Sequence, residues 1–174
     1  MDGKNKKRGI LMAKEELLDY INETFEAANF EFDWLVQWNK RQHGIEVFFT
    51  LFVETDSSTV IEDVDGTVAE NDIIEFEDGI VFYDPLKSKL NLDDYLVGIP
   101  FDSKKGIEKG VIEAAAKYLR IVVTEGQADL LDFATDPTIE TFEMHWNDND
   151  FAGTIATLKE TGRYEDTLIA YPKY

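Results

Sequence analysis

Ile45-Glu46-Val47-Phe48-Phe49-Thr50-Leu51-Phe52-Val53-Glu54 is the stretch whose reading decides the fold. It is β-branched and aromatic almost throughout, which at this length predicts a strand and not a helix. Ile45, Val47, Phe49, Leu51 and Val53 fall on one face, and Phe48 and Phe52 add apolar surface to the other. Such a strand belongs in the middle of a sheet, covered at least in part on both sides.

Working outward, Phe30 to Trp38 alternates Phe32, Trp34, Val36 and Trp38 with Glu31, Asp33 and Gln37. That is a half-buried strand, and the polar turn from Asn39 to Gly44 makes it the antiparallel neighbour. Ala13 to Asn29 reads as an amphipathic helix with Leu17, Leu18, Ile21, Phe25 and Ala28 on one stripe. Downstream, Thr59-Val60-Ile61 is a short strand candidate. Ile73 to Glu77 and Ile80 to Tyr83 then flank Asp78-Gly79, a pairing that predicts a type I′ hairpin turn. Tyr95 to Ile99 is a further strand, closed by Pro100. Ile107 to Thr124 is the second main helix, and Gly126 is expected to separate it from a short helix over Gln127 to Ala134. Phe142, Met144 and Trp146 alternate with Glu143 and His145, which predicts a strand. Asp148 or Asn149 caps a helix reaching Glu160 and stopped by Gly162, and Thr167 to Tyr171 reads as a last edge strand. The order helix, strands, helix predicts an α+β fold: one domain over residues 12–174, an antiparallel sheet with helices mainly on one face. Residues 1–11, basic and polar, are expected to be a disordered extension, with Met12 as an alternative natural start.

The 174 residues hold 17 Lys and Arg against 36 Asp and Glu, for a net charge of −19. That balance excludes a phosphate-backbone binder, which needs Lys and Arg to displace counterions, and argues equally against anionic lipid. It suits a basic protein partner, a cation or plain solubility. No cysteine is present, so disulfides, thiolate metal sites and Cys nucleophiles are ruled out. No apolar run approaches the ~18 residues of a membrane span, and a cytoplasmic protein is expected. The oligomeric state is not readable.

Charge is also unevenly placed. There is no Lys or Arg from Gln42 through Leu86, and none from Ile121 through Leu158. Glu75 and Glu77 in the first gap, with Asp129, Asp132 and Glu143 in the second, are candidate partner-binding residues. If the two gaps adjoin in the fold, they make a continuous negative face able to select a basic partner.

Chemistry-bearing motifs are sparse. Asp63-Val64-Asp65-Gly66-Thr67-Val68 resembles the first motif of the haloacid-dehalogenase phosphatases, in which the positions of Asp63 and Asp65 supply a nucleophile and a general acid around Mg²⁺. Its context differs, because the preceding Ser58 to Glu62 is not a buried apolar strand. Read as a Ca²⁺ loop with Gly66 at position six, the same stretch puts Ile61 at position one and Asp72 at position twelve, which departs from an EF-hand. Asp63, Asp65 and Asp72 are the candidate metal ligands. His43 and His145 have no metal-ligand spacing, and neither a nucleophile elbow nor a phosphate-cradling glycine loop exists. No catalytic residue and no cofactor are assigned.

Ile73 to Asp78, Tyr83-Asp84-Pro85, Ile99 to Asp102, Glu125 to Phe133 and Phe142 to Trp146, taken as a set, resemble a domain-of-unknown-function family of low-GC Gram-positive, lactic-acid-type bacteria. The resemblance runs from about Met12 to the C-terminus and implies a bacterial cytoplasmic protein, with no activity, cofactor or site residue to carry over. The expected function is a non-enzymatic acidic interaction module, chaperone- or immunity-like. The alternative is a divalent-metal-dependent hydrolase built on clustered carboxylates.

Overall fold

The computed structural model describes residues 16–55 and 72–173. Helix α1 covers residues 16–27. Strands β1 (Asp33–Asn39), β2 (Gly44–Thr55), β3 (Asp72–Tyr83) and β4 (Val97–Pro100) form one sheet in that order. A 3-10 turn, Leu92–Asp94, precedes β4. The short β5 (Ile107–Glu108) leads into helix α2 (Lys109–Thr135) and pairs with β6 (Leu168–Ile169), while helix α3 (Asp148–Glu160) lies between α2 and β6 in sequence. The expected strand at Thr59-Val60-Ile61 and the expected disorder of residues 1–11 fall outside the described residues.

Strand β2 is central, as its composition requires. It pairs antiparallel with β1 from Asp33↔Thr50 to Asn39↔Gly44, and with β3 over its whole length. Its odd-numbered face, Ile45 to Val53, is fully buried under the helices. Helix α1 contributes Leu17, Ile21 and Phe25 to the same core, and Phe25 meets Trp34 of β1 with ring centroids 5.9 Å apart. Asn29 then stops α1 in the left-handed region (φ 51°), a conformation that asparagine tolerates. Helix α2 brings Ile112, Leu119, Val122 and Leu130 onto this face. The fold is therefore α+β with α1 and α2 on one side.

Three local expectations are corrected. Asp78-Gly79 makes no hairpin: β3 runs straight through it, with Phe48↔Gly79 and Phe49↔Asp78 as register pairs. The glycine is needed for space, since a Cβ on Gly79 would stand 2.8 Å from the Phe48 ring. Gly126 does not divide the second helix. It sits inside α2 as a notch for Met144, whose Cε lies 2.9 Å from where its Cβ would be. Phe142 to Trp146 belongs to no strand. Its alternation arises because Phe142, Met144 and Trp146 pack one side of the segment on Phe76, Phe133, Gly126 and Tyr118.

The sheet is also mixed, because β4 runs parallel to β3 (Ile80↔Val97 to Tyr83↔Pro100). Residues 84–96 cross the face of the sheet opposite the helices, with Leu90 over Gly44, Leu92 over Gly98 and Tyr95 on Phe48, and so return the chain to the same end. This crossover is pinned by Glu46, only 5% exposed, which accepts from the Tyr95 hydroxyl and from Gln37 Nε2 at 3.2 Å.

Candidate functional site

Helix α2 runs alongside β2 and carries a charge gradient, from Lys109 at its start to Asp129 and Asp132 near its end. The end holding the β1–β2 turn and the start of α2 also holds Lys40, Arg41, Lys104, Lys105 and Lys109. Helix α3 runs back toward that end: it begins where Asn147 N donates to Tyr118 Oη (3.1 Å), and past its last residues Tyr164 lies on Gly110. Lys159 and Arg163 therefore join the basic end. The residue 89 amide donates to Gln42 O at 3.0 Å, so Lys87 and Lys89 belong there too.

The opposite end holds described parts of both cation-free stretches, the end of β2 and the start of β3 from one and the second half of α2 with residues 139–145 from the other. They are in contact: Gln127 Nε2 donates to Phe52 O (3.1 Å), and the Phe76 and Phe142 rings meet edge to face at 4.8 Å. Arg120 is the last cation along α2. It rests over the Phe30 ring at 5.3 Å, in a cleft of about 620 Å³ between α2 and the far half of β2.

The candidate residues fall into two groups there. Asp129 and Asp132, three apart and hence on one face of α2, line a pocket of about 260 Å³ with Glu143, Phe142 and Ile139. His145 completes that wall, a contribution its sequence context did not signal. Glu75 and Glu77 are exposed on the other side of the sheet, because their β2 partners are Phe52 and Thr50 on the helix-free face. The carboxylates thus flank β3 from both sides instead of covering one flat face. Asp63 and Asp65 lie outside the described residues, and Asp72 is the first residue of β3. Among the described residues, no group of three His, Asp or Glu is arranged to hold a metal ion.

A second polar cluster, at the basic end, went unread in the sequence. Asp84 is 3% exposed and accepts from Leu86 N (2.9 Å), Ser103 N (3.0 Å) and Ser103 Oγ. Burial raises its pKa, but these bonds and the neighbouring His43 outweigh burial and hold it at about 2. His43 is pushed down, chiefly by burial against Tyr171, on whose ring it stacks at 4.1 Å. Ser88 donates to the His43 carbonyl and Ser103 to Asp84. With both hydroxyls so used, Ser, His and Asp here form a structural junction. The sequence signal available was Asp84 followed by Pro85, which marks only a chain reversal.

An α+β domain with a mixed sheet is thus the class that the fold defines. The chain belongs to the family described as "Protein of unknown function (DUF3013)", whose model matches residues 12–173. It is similar to a conserved protein of unknown function from Enterococcus faecalis, known from a crystal structure, at 40% identity and a TM-score of 0.76 over 90% of this chain and 94% of that one. No functionally curated protein matches the chain. No helix among the described residues is long and apolar enough to cross a membrane.

Proposed function

We propose that the protein is a cytoplasmic, non-enzymatic interaction module whose acidic end docks a basic protein partner. The observation that carries this reading is the charge order along α2, whose cations lie between Lys109 and Arg120 and whose second half carries Glu125, Asp129 and Asp132. Solubility alone needs net charge, and an even scatter of carboxylates supplies it. Among the described residues no cation lies on β2, on β3 or past Arg120 on α2, so the far end carries a negative field, which raises the association rate of a basic partner and orients it. The pocket under Asp129, Asp132 and Glu143 has the chemistry for a Lys or Arg side chain, with Phe142 and Ile139 for its methylene stem. The hydrolase alternative gains no support among the described residues.

The test is affinity capture from host lysate at low salt, with three baits: wild type, Asp129→Lys/Asp132→Lys/Glu143→Lys, and Glu75→Lys/Glu77→Lys. A basic protein held by the wild type, released by salt and lost from a lysine variant is the expected result. Equal retention by all three baits overturns the reading.

A further inference from the structure

The acidic end contains a sheet edge that no described strand covers. Strand β4 covers β3 only from Ile80 to Tyr83, so β3 from Asp72 to Gly79 has no strand on that side among the described residues. Three hydrogen bonds fix which backbone groups point there. Gly79 O accepts from Leu96 N (2.7 Å) and Tyr83 O from Phe101 N (2.8 Å), both on the β4 side. Phe52 O, opposite Glu75, is taken by Gln127 and so points away from β3. Backbone direction alternates along a strand, so the N–H and C=O of Ile73, Glu75 and Glu77 all face the open edge. The side chains of these residues stand on the helix-free face, while Phe76, backed by Phe142, stands on the other.

We infer that this edge receives an extended segment of the basic partner as an added strand, with cationic residues over Glu75 and Glu77 and apolar residues over Phe76 and Phe142. This rests on the interaction reading above and specifies its mode of recognition. Main-chain bonds supply the affinity in such complexes, and alternate side chains supply the selectivity. A second copy of this chain is the wrong occupant. Antiparallel pairing of two β3 edges would set Glu75 and Glu77 against each other, and directly opposed like charges are destabilising. The same carboxylates thus guard the edge against self-pairing.

The probe is a nine-residue peptide alternating lysine and valine, beside the same peptide N-methylated along its backbone, which keeps the charge and loses the ability to pair. Binding is measured by calorimetry and by amide exchange. The unmethylated peptide is expected to bind and to protect the Glu75 and Glu77 amides, with the methylated one at least about tenfold weaker. Glu75→Pro removes an edge N–H that β2 does not use, so the fold tolerates it. Its binding is expected to fall at least about fivefold below that of Glu75→Gln, the worth of a lost hydrogen bond. Equal binding of both peptides overturns strand addition and leaves the charge attraction standing. Binding of neither overturns both. Should Glu75→Pro unfold, the wild-type amide exchange decides: protection of Glu75 and Glu77 before any peptide is added means the edge is already covered and overturns the inference.

Discussion

The ring of Phe48 lies across Gly79, its register partner on β3. A Cβ at Gly79 would stand 2.8 Å from that ring and 3.1 Å from the Val47 carbonyl. The ring cannot retreat easily, because Tyr95 stacks on it and is itself tied to Glu46. Gly79→Ala is therefore expected to destabilise by about 1–3 kcal/mol, the usual cost of overpacking, with Gly79→Val worse. Urea unfolding measures it, and an unchanged midpoint would mean that Phe48 swings aside.

Two carboxylates, Asp78 within β3 and Asp84 just past its end, respond to acid in opposite ways. Asp84 is held at about 2 in the folded chain, below its ordinary value. Its stabilising contribution is present above an unfolded pKa of ~3.9 and is lost as pH falls toward 2. Asp78 is raised, mainly by burial and against hydrogen bonds from the Gly79 and Leu96 amides. Its charged form costs stability once pH rises through its folded pKa. Asp78→Asn is expected to stabilise at pH 7 and to lose that gain below about pH 4, whereas Asp84→Asn destabilises at pH 7 and flattens the acid limb. Melting temperatures from pH 2 to 7 separate the two. A loss on Asp78→Asn at neutral pH would sink this assignment.

The core strand was legible because burial on a sheet face has a period of two, and Ile45 to Val53 keeps that period without a break. The same rule misread Phe142 to Trp146, where one-sided packing on α2 and Phe76 gives an identical alternation with no backbone ladder. Glycine was ambiguous in kind. At Asp78-Gly79 and at Gly126 it provides room for Phe48 and Met144, and a sequence cannot distinguish room from a turn until the neighbour is known. The parallel β4 depended on Leu90, Leu92 and Tyr95 covering the helix-free face, a tertiary fact. Of the candidate site, the cation-free stretches were legible as counts. Their division to the two sides of β3 was not, because it depends on the register of Glu75 opposite Phe52.

Alkaline pH should unfold the chain through its tyrosines. Tyr164 is pushed up to about 12, first by burial and then by its hydrogen bond to Glu108. Tyr95 is raised by burial and by Glu46, and Tyr20 by burial and Glu113. Each contributes stability that is complete below an unfolded pKa near ~10 and is lost as pH rises through the folded value. Absorbance titration of the folded protein should show these three of the seven tyrosines ionising late, together with unfolding. Seven tyrosines titrating together near pH ~10 while the fold persists would contradict it.

Residues 139–147 carry the pocket wall, yet no strand pairing holds them, so their position depends on side chains. Phe142 is one anchor, beside the buried Met144, and is set between Phe76 at 4.8 Å and Phe133 at 6.4 Å. It is half-buried, so Phe142→Ala is expected to cost about 2 kcal/mol, below the usual range for a fully buried phenylalanine. The loss should be local. Amides of residues 140–145 exchange quickly in the wild type and faster still in the variant, while those of β2 and the first half of α2 keep their protection. Net charge is unchanged by this substitution, so weaker capture of a basic partner by Phe142→Ala would trace binding to the placement of Glu143 beside Asp129 and Asp132. Undiminished capture would mean that the overall negative field of that end suffices, without the pocket geometry.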